Sequence, residues 1–179
     1  WYFYLDGTLQ MEVKLTGIVG VSAVAEGTEQ PEYAPLIAPN LASPVHQHLF
    51  NFRLDFDLDG GPNSVYEVNT IPLPGDHPDN PHGTAFHAEA KLLVRESEAQ
   101  RNVNAASSRN WKVVNPESKN RMGVPVAYKL LPGATPVLLA NPDSPVGKRA
   151  GFATHNLWVT PYKEDEMSAA GEHTNLHPG

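Results

Sequence analysis

Proline is spread through this chain rather than gathered in one place, and that dispersal limits the fold more than any other feature. Seventeen prolines and fourteen glycines stand among 179 residues, with prolines running from Pro31 to Pro178. Together the two types exceed the roughly 12% of an average protein and fall short of the roughly 25–30% of low-complexity chains. Proline has no backbone N–H and its ring clashes inside a helix, so a chain punctuated this way has room for short strands and loops and little for long helices. A 40% hydrophobic content is enough to build a core, and the length suits one domain or a piece of a larger one. No apolar run approaches the ~20 residues of a membrane-spanning helix, and none has the layout of a signal peptide.

Hydrophobic alternation supplies the strands. Trp1-Tyr2-Phe3-Tyr4-Leu5 runs into Asp6-Gly7, and Leu9, Met11, Val13 and Leu15 then alternate with Gln10, Glu12 and Lys14. Two alternating runs around Asp-Gly predict a hairpin. The chain opens with no initiator Met, in what reads as the middle of a buried strand, and is expected to be a fragment. Residues 26–43 read as loop. From Val45 to Leu58, His46, His48, Phe50, Phe52, Leu54, Phe56 and Leu58 occupy one face of an expected strand whose apolar face is buried. Asp59-Gly60-Gly61-Pro62-Asn63 turns the chain and Ser64–Asn69 returns as a strand. Pro72–Gly83, with four prolines, is a second loop. Between Thr84 and Val94 helix-forming residues compete with an alternating pattern, and the pattern favours strand. Trp111–Val114, Ala127–Leu131, Pro136–Ala140 and Ala150–Tyr162 complete the set. Many short strands with turns between them indicate an all-β antiparallel sandwich without an internal domain boundary over 1–179. The three tryptophans are expected in the core.

Net charge narrows the partners. Thirteen basic against twenty acidic residues leave −7, which argues against a non-specific nucleic-acid binder or a polybasic membrane-surface protein. The absence of cysteine excludes a disulfide framework, thiolate metal sites and a cysteine nucleophile.

Two groups of residues carry potential chemistry. On a strand, positions i and i+2 share a face about 6.6 Å apart at Cα, so His46 and His48 can reach one metal ion. Imidazole suits copper, zinc, iron and nickel. On a buried face a shared ion would also relieve the desolvation of two imidazoles, although a pair of buried, hydrogen-bonded histidines fits the pattern too. Asp55, Phe56 and Asp57 form the second group: two carboxylates with a backbone carbonyl between them suit a hard cation such as calcium, and equally a solvated acidic strand end. An EF-hand is excluded, because its twelfth position falls on Tyr66 rather than Glu67 and no helices flank the run. His77, His82, His87, His155, His173 and His177 show no comparable pairing, and His77 and His82 are expected to be exposed.

Several separate motifs then converge on one family. Trp1 to Thr8 with Glu12-Val13-Lys14 and Thr16-Gly17, and His46-Gln47-His48-Leu49-Phe50 followed by Arg53-Leu54-Asp55, resemble the catalytic domain of the copper-containing, topaquinone amine oxidases. Glu96-Ser97-Glu98-Ala99, Arg109-Asn110-Trp111, Asn115 to Asn120, Tyr128-Lys129-Leu130 and Phe152 to Thr160 are similar to it as well, so the resemblance covers nearly the whole chain. It implies a segment of a large antiparallel β-sandwich in a homodimer that oxidises primary amines to aldehydes with oxygen, releasing ammonia and hydrogen peroxide. It implies that His46 and His48 are two of three copper ligands, and that Asp55, Phe56 (by its carbonyl) and Asp57 hold a peripheral calcium-type ion. The tyrosine that becomes topaquinone and the base aspartate are expected before Trp1, and the third histidine after Gly179. The segment therefore carries no catalytic residue of its own and is expected to be inactive in isolation. Ser168 and Leu176 depart from the family pattern. Two other readings compete: a cupin-like metal dioxygenase, which would want a Glu within Leu49–Asp55, and a calcium-stabilised non-enzymatic β-domain, which would leave the two histidines unexplained.

Overall fold

The computed structural model describes residues 1–30, 32–133, 135–166 and 169. Its described residues form short antiparallel strands, one five-residue helix α1 (Pro145–Arg149) and three 3-10 turns, in agreement with the all-β expectation. No helix among them is long and apolar enough to cross a membrane. The departures at Ser168 and Leu176, and His173 and His177, lie outside the described residues. The chain divides into two compact units, 1–48 and 49–179.

In the first unit, β1 (Tyr2–Phe3) and β2 (Leu9–Gln10) form the Asp-Gly hairpin, with Tyr2 opposite Gln10. The turn closes through Gly7 N–H on the Tyr4 carbonyl at 3.1 Å, and Gly7 has φ +86°, a conformation that glycine adopts without strain. The strand stops at Gln10, and Trp1 and Phe3 are 69% and 77% exposed, which corrects the buried strand and the core place of Trp1.

Residues 26–43, expected to be loop, contain strands at 36–38 and 41–42 that join one at 22–23. β3 (Ser22–Ala23), β4 (Leu36–Ala38) and β5 (Leu41–Ala42) make a sheet in the order β3-β5-β4. They are too short to show a period. Their signal is Pro39-Asn40, where proline's fixed φ precedes Asn40 at φ +60°, as a tight turn requires.

The second unit is built on a four-stranded antiparallel sheet, β10-β9-β6-β7. Its strands are β6 (Ser64–Pro72), β7 (Phe86–Leu92), β9 (Asn110–Lys119) and β10 (Pro125–Leu130). β6 is central, with Glu67 opposite Lys91 on one side and Trp111 on the other. The alternation in 84–94 thus prevails over helix propensity. Pro116 sits where the β9–β10 register shifts, so its missing N–H interrupts no regular ladder. Trp111 is fully buried, and Val113, two residues further along β9, shares its face, while Val68 is buried on the opposite face. Asn80 holds the proline-rich loop, donating to the Leu73 and Pro74 carbonyls and accepting from Ala85 N–H at 2.8 Å. A smaller ribbon pairs β8 (Gln100–Arg101) with β11 (Leu157–Trp158).

Three further expectations are corrected. Residues 45–58 carry no strand ladder, and Phe50, Phe52 and Leu54 are 51%, 44% and 49% exposed: alternation records which face is apolar, not whether a ladder forms along it. Residues 136–140 form no strand. In 150–162, residues Gly151–Thr154 make a 3-10 turn and only Leu157–Trp158 pair.

Candidate metal centre

His46 and His48 are brought together. Their Nε2 atoms lie 2.9 Å apart and their ring centroids 4.7 Å, edge to face. Both side chains are exposed, so the desolvation argument for a shared ion falls away and the case rests on geometry. His46 Nδ1 is 3.0 Å from the Pro44 carbonyl oxygen. A carbonyl only accepts, so Nδ1 carries the proton and Nε2 of the neutral ring is left as a lone pair. The segment is held from behind by Ser43 N–H on the Pro35 carbonyl and Val45 N–H on the Tyr33 carbonyl, each at 2.9 Å.

His48 Nε2–H donates to that lone pair, so the two histidines form a hydrogen-bonded pair, and the same spacing suits a shared metal once that proton is released. Two imidazole nitrogens bound to one ion at about 2.0–2.1 Å, at roughly a right angle, sit about 2.9 Å apart. A ligating histidine also commonly donates its other N–H to a carbonyl. Two nitrogens are an incomplete set, and no group of three or more candidate ligands occurs among the described residues.

Asp55 and Asp57 are exposed and Phe56 is half-buried, its ring 6.1 Å from that of Tyr128. Among the described residues no third candidate ligand joins them. What it does fix is the turn that follows. Asn115, 3% exposed, donates to the Leu58 and Gly60 carbonyls at 2.9 and 2.8 Å and accepts from Glu117 N–H. Asn63 accepts from Leu58 N–H, and Ser118 Oγ donates to Asp59 at 2.6 Å. Just before the acidic run, Arg53 donates to the Lys163 and Glu166 carbonyls and lies over the Tyr162 ring.

The best-built polar cluster is one that the sequence reading missed. Glu67, 2% exposed, accepts from Arg101 Nε at 2.6 Å and Nη2 at 2.8 Å, Trp111 Nε1 at 3.3 Å and Asn69 Nδ2 at 3.2 Å, and pairs with the Arg109 guanidinium at 3.2 Å, whose Nε–H donates to Asn69 Oδ1 at 2.9 Å. Burial pushes the carboxyl up. Hydrogen bonds from Arg101 and Asn69, with the charges of Arg109 and Arg101, outweigh it and hold the group at about 2 against an ordinary 4.5. The available signal was a lone Glu between apolar positions of a strand with two arginines downstream.

Among the described residues the other histidines join no group of three or more candidate ligands. His82 is exposed and His77 half-buried, its Nδ1 accepting from Asp79 N–H. His155 packs edge to face on Trp158 at 5.0 Å. Asn102 and Asn156 bind reciprocally, each accepting from the backbone of the other's segment, so the Phe152–Thr160 motif holds the β8–β11 ribbon.

Comparison with known proteins identifies the family of the chain. A family model described as the copper amine oxidase enzyme domain matches residues 1–179. The chain is 48% identical over 179 residues to a histamine oxidase of Arthrobacter globiformis, covering all of this chain and 26% of that protein. It is 45% identical over 180 residues to a primary amine oxidase of Arthrobacter sp. (strain P1), covering all of this chain and 27% of that protein. It is 42% identical over 183 residues to a peroxisomal copper-containing diamine oxidase of Nicotiana tabacum, covering 99% and 23%. A copper-containing benzylamine oxidase from Hansenula polymorpha has a similar structure, with a TM-score of 0.81 at 31% identity over 90% of this chain and 25% of that one. The chain thus spans about a quarter of the length of these relatives.

Proposed function

Because the chain belongs to the copper amine oxidase family, we propose that it is a central part of the catalytic domain of a primary-amine oxidase, in which His46 and His48 are two of the copper ligands. The observation that supports this reading most directly is the convergence of the two Nε2 atoms to 2.9 Å, with the His46 tautomer set by the Pro44 carbonyl. The parent enzyme would convert a primary amine, oxygen and water to an aldehyde, ammonia and hydrogen peroxide. The cofactors would supply what side chains lack: topaquinone an electrophilic carbonyl and a two-electron acceptor, copper the site for quinone formation and oxygen handling.

The residues in hand have supporting roles in that chemistry. His46 and His48 hold the metal and do no acid–base work. Asp55 and Asp57, with the Phe56 carbonyl, hold a peripheral calcium-type ion, ordering the chain next to the turn clamped by Asn63, Asn115 and Ser118. Glu67, Arg101 and Arg109 lock β6, β8 and β9 into one frame. The quinone tyrosine, the base aspartate and the third copper histidine lie in the parent outside residues 1–179, and the parent is a homodimer.

The deciding experiment is a quinone redox-cycling stain on the denatured, copper-grown parent, read beside its copper content. A stained band with bound copper supports the assignment. Copper without stain points to a homologue lacking the quinone, and neither returns the chain to a structural β-domain.

A further inference from the structure

The small sheet of the first unit contains a break beside the metal centre. Successive residues of β5 and its extension face opposite neighbours. Ser43 and Val45 donate to Pro35 and Tyr33 on the β4 side, while the Asn40 carbonyl accepts from Val24 N–H, and Ala42 stands opposite Ser22, on the β3 side. The same alternation turns residue 44 toward β3, where Gly20 is next in register. Proline has no N–H to give there, so the ladder ends at Ser22 and Ala42. The open space is a cavity of about 300 Å³ lined by Gly20, Val21, Ser22, Pro44 and His46. Pro44 directs its carbonyl to His46 Nδ1 at 3.0 Å.

We propose that Pro44 is a positioning residue for the copper site: by ending the β3–β5 ladder it frees its carbonyl to fix the tautomer and ring orientation of His46. The proposal rests on the reading of His46 as a copper ligand. Carbonyl partners of ligating histidines typically change metal affinity by about 10–100-fold, and this one comes from a residue just beyond the last pair of the β3–β5 ladder.

The test uses the full-length parent, stripped of metal and titrated with Cu(II) alone against a competing chelator, with the copper EPR spectrum as a second readout. Pro44→Ala restores an N–H and lets the ladder close onto Gly20. His46 replaced by Nδ1-methylhistidine keeps the Nε2 lone pair and cannot donate from Nδ1, without altering the backbone. Both are expected to weaken Cu(II) binding by about 10–100-fold and to change the EPR spectrum. Wild-type affinity and spectrum in both, with copper lost in His46→Ala, overturns the positioning role and leaves the ligand assignment standing. Copper retained in His46→Ala overturns the ligand assignment itself, and the role of Pro44 with it. If Pro44→Ala does not fold, the methylhistidine variant decides.

Discussion

Arg101 takes both oxygens of the buried Glu67 carboxylate, with Nε on Oε2 at 2.6 Å and Nη2 on Oε1 at 2.8 Å. The pair joins the short β8 to the central strand of the main sheet, and Arg109 and Trp111 bind the same carboxylate from β9 and the turn before it. Removing one member of such a pair leaves the others buried and unmatched, at a cost of about 3–5 kcal/mol. Glu67→Ala is therefore expected to lower the unfolding midpoint of the parent sharply in urea or on heating. A midpoint within experimental error of wild type would show that the cluster adds nothing.

Acid should expose the same group. The Glu67 carboxyl is held at about 2 when folded against an ordinary 4.5, so its folded value is the depressed one. Its contribution is present above about pH 4.5 and is lost as pH falls toward 2, and it amounts to about 3 kcal/mol. Stability measured across that window should fall less steeply in Glu67→Gln than in wild type. Equal slopes would mean that other carboxylates control the acid transition.

At the metal centre, His46→Ala and His48→Ala in the parent should each abolish copper retention and quinone formation, measured by elemental analysis and quinone absorbance. In the proposed ligand set the remaining imidazole cannot replace the lost one, because two nitrogens are already an incomplete set. Full quinone absorbance in either variant would remove that residue from the ligand set.

Asp55→Ala and Asp57→Ala should behave differently. Both side chains are exposed, and loss of a peripheral ion should lower stability modestly, by about 1 kcal/mol, with bound calcium reduced and the quinone intact. Complete loss of the quinone would contradict a peripheral role.

What could be read from the sequence follows from the range of the forces involved. The Asp6-Gly7 hairpin and the strand character of Phe86–Leu92 are local, decided by turn chemistry and side-chain alternation, and both are found. His46 and His48 were legible because a two-residue spacing on an extended backbone brings their rings together with no tertiary information. The Glu67 cluster gathers residues from β6, β8 and β9, and no local pattern reports that meeting. Pro136–Ala140 and most of Ala150–Tyr162 have strand-like composition but form no regular ladder, and the Leu138 N–H meets the Ala153 carbonyl in a 3-10 turn instead. β4 and β5 escaped because strands of two or three residues are shorter than any period that could reveal them.

Residues 45–58 also bear on how the chain can be handled. Phe50, Phe52 and Leu54 are about half exposed on this segment, so a row of apolar side chains faces outward, where it can meet the same row on another molecule. Produced alone at high concentration, the 179-residue chain should associate through these side chains and precipitate. Solubility trials should therefore begin with longer versions of the polypeptide.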